Sequence, residues 1–209
     1  MITVLDYKAG NVRSVLRALA GLGHEAVFTA DPDVVARADR VIFPGVGAAG
    51  SCMENLRAAG LDAALRTAVA TGRPVLGICV GMQLLFEHSD EDGGVPCLGI
   101  LPGRVVRFAP RDPACKVPHM GWNPVRRRRD DPLFAGVDDG TPAYFVHSYH
   151  CVPGRDADGG RAVDRGRYSS QAVQPDDDAV HAAGADDCSS VQTPHRGGSS
   201  RRHRADCRA

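Results

Sequence analysis

Apolar and polar positions alternate along residues 1–90 in two periods, and together they predict strands separated by helices. Ile2-Thr3-Val4-Leu5 reads as the first strand. After a turn through Lys8-Ala9-Gly10, Asn11 stands where a helix cap belongs. Val12, Val15, Leu16 and Leu19 follow on one helical face, and Gly21 and Gly23 end it. Glu25 to Phe28 predicts a weaker strand, Val34 to Ala38 a short helix and Val41-Ile42-Phe43 a buried strand. Leu61, Ala64, Leu65, Ala68 and Val69 form a second helical stripe. Val75 to Ile78 then predicts a buried strand, and Met82 to Phe86 a helix. Strands and helices alternating at this pitch predict an α/β fold, a doubly wound and mostly parallel sheet of the flavodoxin-like kind.

From Leu98 to Val152 the pattern changes to strand and turn. Arg104 to Phe108 and Ala143 to Val146 read as strands, and no internal repeat is present. The pattern breaks again after Cys151. Residues 152–209 hold no Leu, Ile, Phe, Met, Trp, Lys, Glu or Asn, and their five valines follow no period. Such a segment buries too little apolar surface to offset the entropy of ordering it. One reading is a disordered tail; nine Arg and nine Asp without Lys or Glu favour the other, an out-of-frame reading of GC-rich DNA. The chain therefore divides into a domain over residues 1–151 and an atypical segment over residues 152–209.

Composition narrows the function classes. Lys+Arg and Asp+Glu balance at 25 each, which gives no field for nucleic acid or an anionic membrane. Arg126 to Arg129 form a basic run between two prolines, read as a solvated loop. No apolar run approaches membrane-span length, and the opening strand pattern lacks the basic flank of a signal peptide. The seven cysteines are scattered without metal-ligand spacing, so no metal and no cofactor is expected, and reduced thiols fit a cytoplasmic protein.

The chemistry is concentrated at Gly77-Ile78-Cys79-Val80-Gly81. A cysteine between a strand and a helix, flanked by glycines, is the thiol counterpart of the nucleophile elbow. A strand-end cysteine can also be an inert buried side chain; glycine on both flanks favours the nucleophile. The following helix N-terminus would draw Cys79 toward thiolate, and the Val80 amide would face an oxyanion. A second glycine corner, Phe43-Pro44-Gly45-Val46-Gly47, ends the preceding strand. It is an ordinary turn or the source of a further amide for the same oxyanion.

These segments also resemble one family. Asp6-Tyr7 through Gly10-Asn11, Phe43 to Gly47, Gly77 to Gln83, Lys116 to Asn123 and Tyr144 to Tyr149 are similar to the glutaminase subunit of imidazole glycerol phosphate synthase, a class I (triad) glutamine amidotransferase. The resemblance covers about residues 1–151. It implies that Cys79 attacks the side-chain amide of glutamine, releases ammonia and forms a glutamyl thioester that water hydrolyses. Gly45, Val46, Gly47 and Val80 would surround the oxyanion, and Gln83, Ser148 and Tyr149 would hold the glutamine. Ammonia would pass to a (β/α)8 barrel cyclase that makes imidazole glycerol phosphate and an aminoimidazole carboxamide ribotide in histidine biosynthesis. Asn11, Pro118, His119, Met120, Trp122 and Asn123 would face that barrel, although Trp122 read alone is equally a core aromatic.

One part of the pattern is missing. The family's late Gln-Phe-His-Pro-Glu string, which supplies the base and its orienting carboxylate, does not occur in this sequence. His181, His195 and His203 lie in the atypical segment and none precedes Pro-Glu. His147 and His150 fall, by family register, at the substrate strand. The expectation is a glutaminase by ancestry whose present sequence is inactive with glutamine. A non-catalytic subunit that still docks the barrel, or another cysteine hydrolase of related fold, are the alternatives.

Overall fold

The structure, a computed structural model, describes residues 1–110, 115–126 and 132–154. Its first unit is a βα series: β1 (Ile2–Leu5), α1 (Val12–Gly21), β2 (Ala26–Thr29), α2 (Pro32–Ala36), β3 (Arg40–Phe43), α3 (Ala49–Ala58), α4 (Leu61–Ala70), β4 (Val75–Gly77) and α5 (Val80–Gln83). The four strands pair in parallel in the order β2-β1-β3-β4, the doubly wound arrangement expected. Strand alternation sorts side chains to two faces. Val4 and Ile42 pack with Leu19 of α1, with Val12, Val15 and Leu16 beside them. Leu5, Val41 and Phe43 face the larger core, which holds Val35, Met53, Leu56, Leu61 and Leu65 from α2, α3 and α4.

Two local readings are corrected and one helix is added. Asn11 occupies the cap position of α1, but its side chain makes no capping bond. The helix α3 was not foreseen: Ala49, Cys52, Met53 and Leu56 give it a buried i, i+3, i+4, i+7 stripe, blurred in sequence by Gly50 and Ser51. The helix after the elbow starts at Val80 and ends at Gln83, rather than spanning Met82 to Phe86. Leu84, Leu85 and Phe86 are all buried, and an α-helical path would spread three consecutive side chains over more than half its circumference. The chain instead tightens, with Leu85 and Phe86 amides bonded three residues back to Met82 and Gln83.

Two smaller sheets follow. β5 (His88–Ser89), β6 (Val95–Pro96), β7 (Gly103–Arg107) and β10 (Tyr149–Pro153) form a mixed sheet in the order β10-β7-β5-β6. Between them in sequence, β8 (His119–Pro124) and β9 (Pro142–His147) form an antiparallel ribbon. β10 stays in register with β7 through Pro153, and the Gly154 amide bonds the Pro102 carbonyl at 2.9 Å. Ordered pairing thus runs three residues past the boundary read at 151, and residues 155–209 lie outside the described residues. No described helix is long and apolar enough to cross a membrane.

Candidate active site

Cys79 sits at the carboxyl end of β4 with φ 54° and ψ −121°, a backbone conformation L-residues rarely adopt. The neighbouring glycines explain how the corner closes. A Cβ on Gly77 would lie 2.5 Å from the Met82 Cα, and one on Gly81 would collide with the Phe43 carbonyl. One on Gly45 would strike the Gly81 amide and come within 2.8 Å of the Tyr7 hydroxyl. The loops after β3 and β4 therefore meet backbone to backbone, with the Tyr7 side chain from the loop after β1 against them, at the end where parallel α/β sheets hold their ligands. The strained corner presents the thiol: Cys79 is exposed, whereas Cys52, Cys97 and Cys151 are buried and Cys115 is partly so. Burial pushes the Cys52 thiol up and the Cys97 thiol up to about 11, away from the reactive thiolate.

The amides of this corner divide into bonded and open ones. Gly81 bonds the Ile78 carbonyl, and Met82 and Gln83 bond the Cys79 carbonyl. Among the described residues nothing accepts from Val80, the first amide of α5 and one that no helix satisfies internally. Across from it, Pro44 and Gly45 are buried while Val46 and Gly47 are exposed. Gly47 has φ +112°, open to glycine at little cost. The start of α3 is already filled: Glu91 accepts from the Ala49 amide at 2.9 Å and Asp92 from the Gly50 amide at 3.2 Å. That helix end is therefore closed to a substrate anion.

Gln83 is buried and donates from Nε2 to the Tyr149 carbonyl at 3.2 Å. His147 Nδ1 donates to the same carbonyl at 2.9 Å, which fixes its tautomer and leaves Nε2 buried without a partner among the described residues. Ser148 offers its carbonyl to the Phe108 amide. Gln83, Ser148 and Tyr149 are thus brought to one junction between the elbow and the β9–β10 corner. His147 and His150 pack on Phe108, at ring-centroid distances of 4.8 and 4.7 Å. Among the described residues no histidine is hydrogen-bonded to Cys79.

The other predicted residues separate onto two faces of the ribbon. Met120 and Trp122 project outward beside Val146 and Tyr144, and Trp122 is 62 % exposed, which excludes a core role. Trp122 and Tyr144 meet edge to face at 5.6 Å. His119 and Asn123 lie on the opposite face, joined at 2.6 Å, and burial lowers the His119 pKa. Pro118 and Asn11 are exposed. Tyr144 and Val146, read in sequence only as part of the family-like Tyr144–Tyr149 segment, alternate along β9 with Phe145 and His147 on the opposite face.

The glutamine amidotransferase class-I family model matches residues 3–193. The chain belongs to the class I glutamine amidotransferases. A protein of Syntrophotalea carbinolica named imidazole glycerol phosphate synthase subunit HisH is 46% identical over 84% of this chain and 87% of its own. A Thiobacillus denitrificans protein of the same name is 51% identical over 73% of this chain and 69% of its own. Among solved structures, one titled as a glutamine amidotransferase overlays with a TM-score of 0.53 at 21% identity, covering 71% of each chain. The α/β fold of this amidotransferase family is the one observed.

Proposed function

We propose that this chain is the glutaminase subunit of a cytoplasmic imidazole glycerol phosphate synthase, with Cys79 as its nucleophile. The observation that carries the reading is the exposed thiol on a positive-φ elbow, next in sequence to the open Val80 amide. The Cys79 sulfur attacks the side-chain amide carbon of glutamine, and the carbonyl electrons move onto oxygen. Val80, with an amide of the Gly45–Gly47 loop, stabilises that oxyanion. The carbon–nitrogen bond then breaks, nitrogen leaves as ammonia with the proton given up by the thiol, and water cleaves the thioester to glutamate and free thiol. Gln83, Ser148 and Tyr149 hold the glutamine.

The apolar outer face of the ribbon, with Met120, Trp122, Tyr144 and Val146, docks the (β/α)8 cyclase that receives the ammonia. Asn11 and Pro118 extend this surface, while His119 and Asn123 support it from behind. This partner surface distinguishes the reading from a stand-alone cysteine hydrolase, which has no acceptor to dock.

The test is alkylation by a chloromethyl ketone analogue of glutamine, mapped by mass spectrometry on the full chain. The adduct is expected on Cys79; an adduct chiefly on Cys52 or Cys97 would overturn the assignment.

A further inference from the structure

Two buried side chains outside the elbow act on the glycine loop opposite Cys79. The Tyr7 hydroxyl donates to the Pro44 carbonyl at 2.6 Å. The Cys52 thiol donates to the Val46 carbonyl at 3.6 Å, within the range of a sulfur hydrogen bond. These two bonds fix the Pro44–Gly45 and Val46–Gly47 peptides. The Gly45–Val46 peptide between them makes no hydrogen bond within the described residues, so its amide is held only through its neighbours. A Cβ on Gly45 would lie 2.8 Å from the Tyr7 hydroxyl and one on Gly47 3.9 Å from the Cys52 sulfur, so both side chains sit against the glycine loop.

We infer that Tyr7 and Cys52 are positioning residues that pin the two ends of the Gly45–Val46 peptide and so set the direction of its amide toward an oxyanion on the substrate. The inference rests on the reading of Cys79 as a nucleophile that generates such an oxyanion. Neither side chain touches the glutamine. Both act through backbone carbonyls, and the gain is preorganisation: a donor already aimed need not reorient as charge develops. Glycine at 45 is required because Tyr7 and the Gly81 amide occupy the space of a side chain there. The bond from Cys52 requires a donor of modest size at that turn of α3, and serine retains the donor where alanine does not.

The experiment compares two alkylating agents at Cys79, with adducts mapped by mass spectrometry. The glutamine chloromethyl ketone reacts through an oxyanion on its carbonyl, whereas iodoacetamide is attacked directly at carbon and needs no such stabilisation. Dividing one rate by the other removes changes in thiol ionisation and access. The ratio should fall in Cys52→Ala by about 3–10-fold, a fraction of the loss from deleting an oxyanion donor. It should return to within about twofold of the parent in Cys52→Ser, which restores a donor. Tyr7→Phe, which keeps the ring and its packing against Phe43, should lower the ratio in the same way, and decides the matter if the Cys52 variants fail to fold. An unchanged ratio in folded Cys52→Ala and Tyr7→Phe would overturn the pin and leave the nucleophile standing. If the ketone spares Cys79 in the parent chain while iodoacetamide labels it, the nucleophile reading falls and the pin falls with it.

Discussion

At residue scale, the site is defined as much by glycines that allow backbone contact as by the thiol. Gly81 and Gly47 make opposite demands and should respond differently to substitution. Gly81→Ala drives a methyl into the Phe43 carbonyl. It should cost about 2 kcal/mol or more of stability, seen as a lowered denaturation midpoint, because backbone cannot move aside as a side chain tip would. Gly47 has only the Cys52 sulfur near its missing Cβ, at 3.9 Å, so space is not its constraint. Its positive φ is. Gly47→Val should cost about 1–3 kcal/mol in strain and reduce ketone labelling of Cys79 disproportionately. Equal losses in midpoint and labelling would make Gly47 a structural turn only. The elbow was legible in sequence because flanking glycines mark a sharp corner. The roles of Tyr7 and Cys52 were not, since both read as core residues whose polar atoms bond carbonyls that no pattern reveals.

At the scale of elements, the ribbon of β8 and β9 presents an apolar outer face and an inner face that carries His119 and His147. The outer face is held by edge-to-face packing of Trp122 on Tyr144 and has no cover among the described residues. If it docks the barrel, Trp122→Ala or Tyr144→Ala should weaken the complex by about 2 kcal/mol, the range of interfacial aromatic anchors. Titration calorimetry against the cyclase checks this, and unchanged affinity in both would remove the ribbon from the interface. The inner face holds His119 and His147, whose pKa values burial lowers. A histidine depressed in the folded state binds its proton more readily when unfolded. Stability from these two is therefore full above the ordinary imidazole range near pH ~6.5 and is lost as pH falls through and below it. Denaturation midpoints measured from pH 8 to 5 should decline, and His147→Gln should flatten the decline; an identical slope would contradict the assignment. Strands β1, β3 and β4 were legible because each is a short segment dominated by apolar residues. The pairing of β5 with β6 was not, because two-residue strands carry no period to read.

At the scale of the molecule, β4 is an edge strand of the parallel sheet among the described residues, and the exposed Ile78 and Cys79 follow at its end. In the doubly wound plan a further strand belongs beside it, and the family's missing Gln-Phe-His-Pro-Glu string would stand near the thiol. Without that base, hydrolysis of glutamine by the 209-residue chain, tested with the proposed cyclase partner, should fall at least about 10²–10⁴-fold short of a relative that carries it. Robust ammonia release would refute this. Reading the coding DNA in its other frames past residue 152 should recover the string, and frames without it would contradict frame loss. The central claim, that Cys79 stands in a glutamine site, is separable from turnover and needs only occupancy. The direct measurement is the rate of Cys79 alkylation by iodoacetamide in the full chain as glutamine is added. Saturable protection by glutamine, and none by asparagine at equal concentration, is the expected result. Labelling of Cys79 that is indifferent to glutamine would contradict the account.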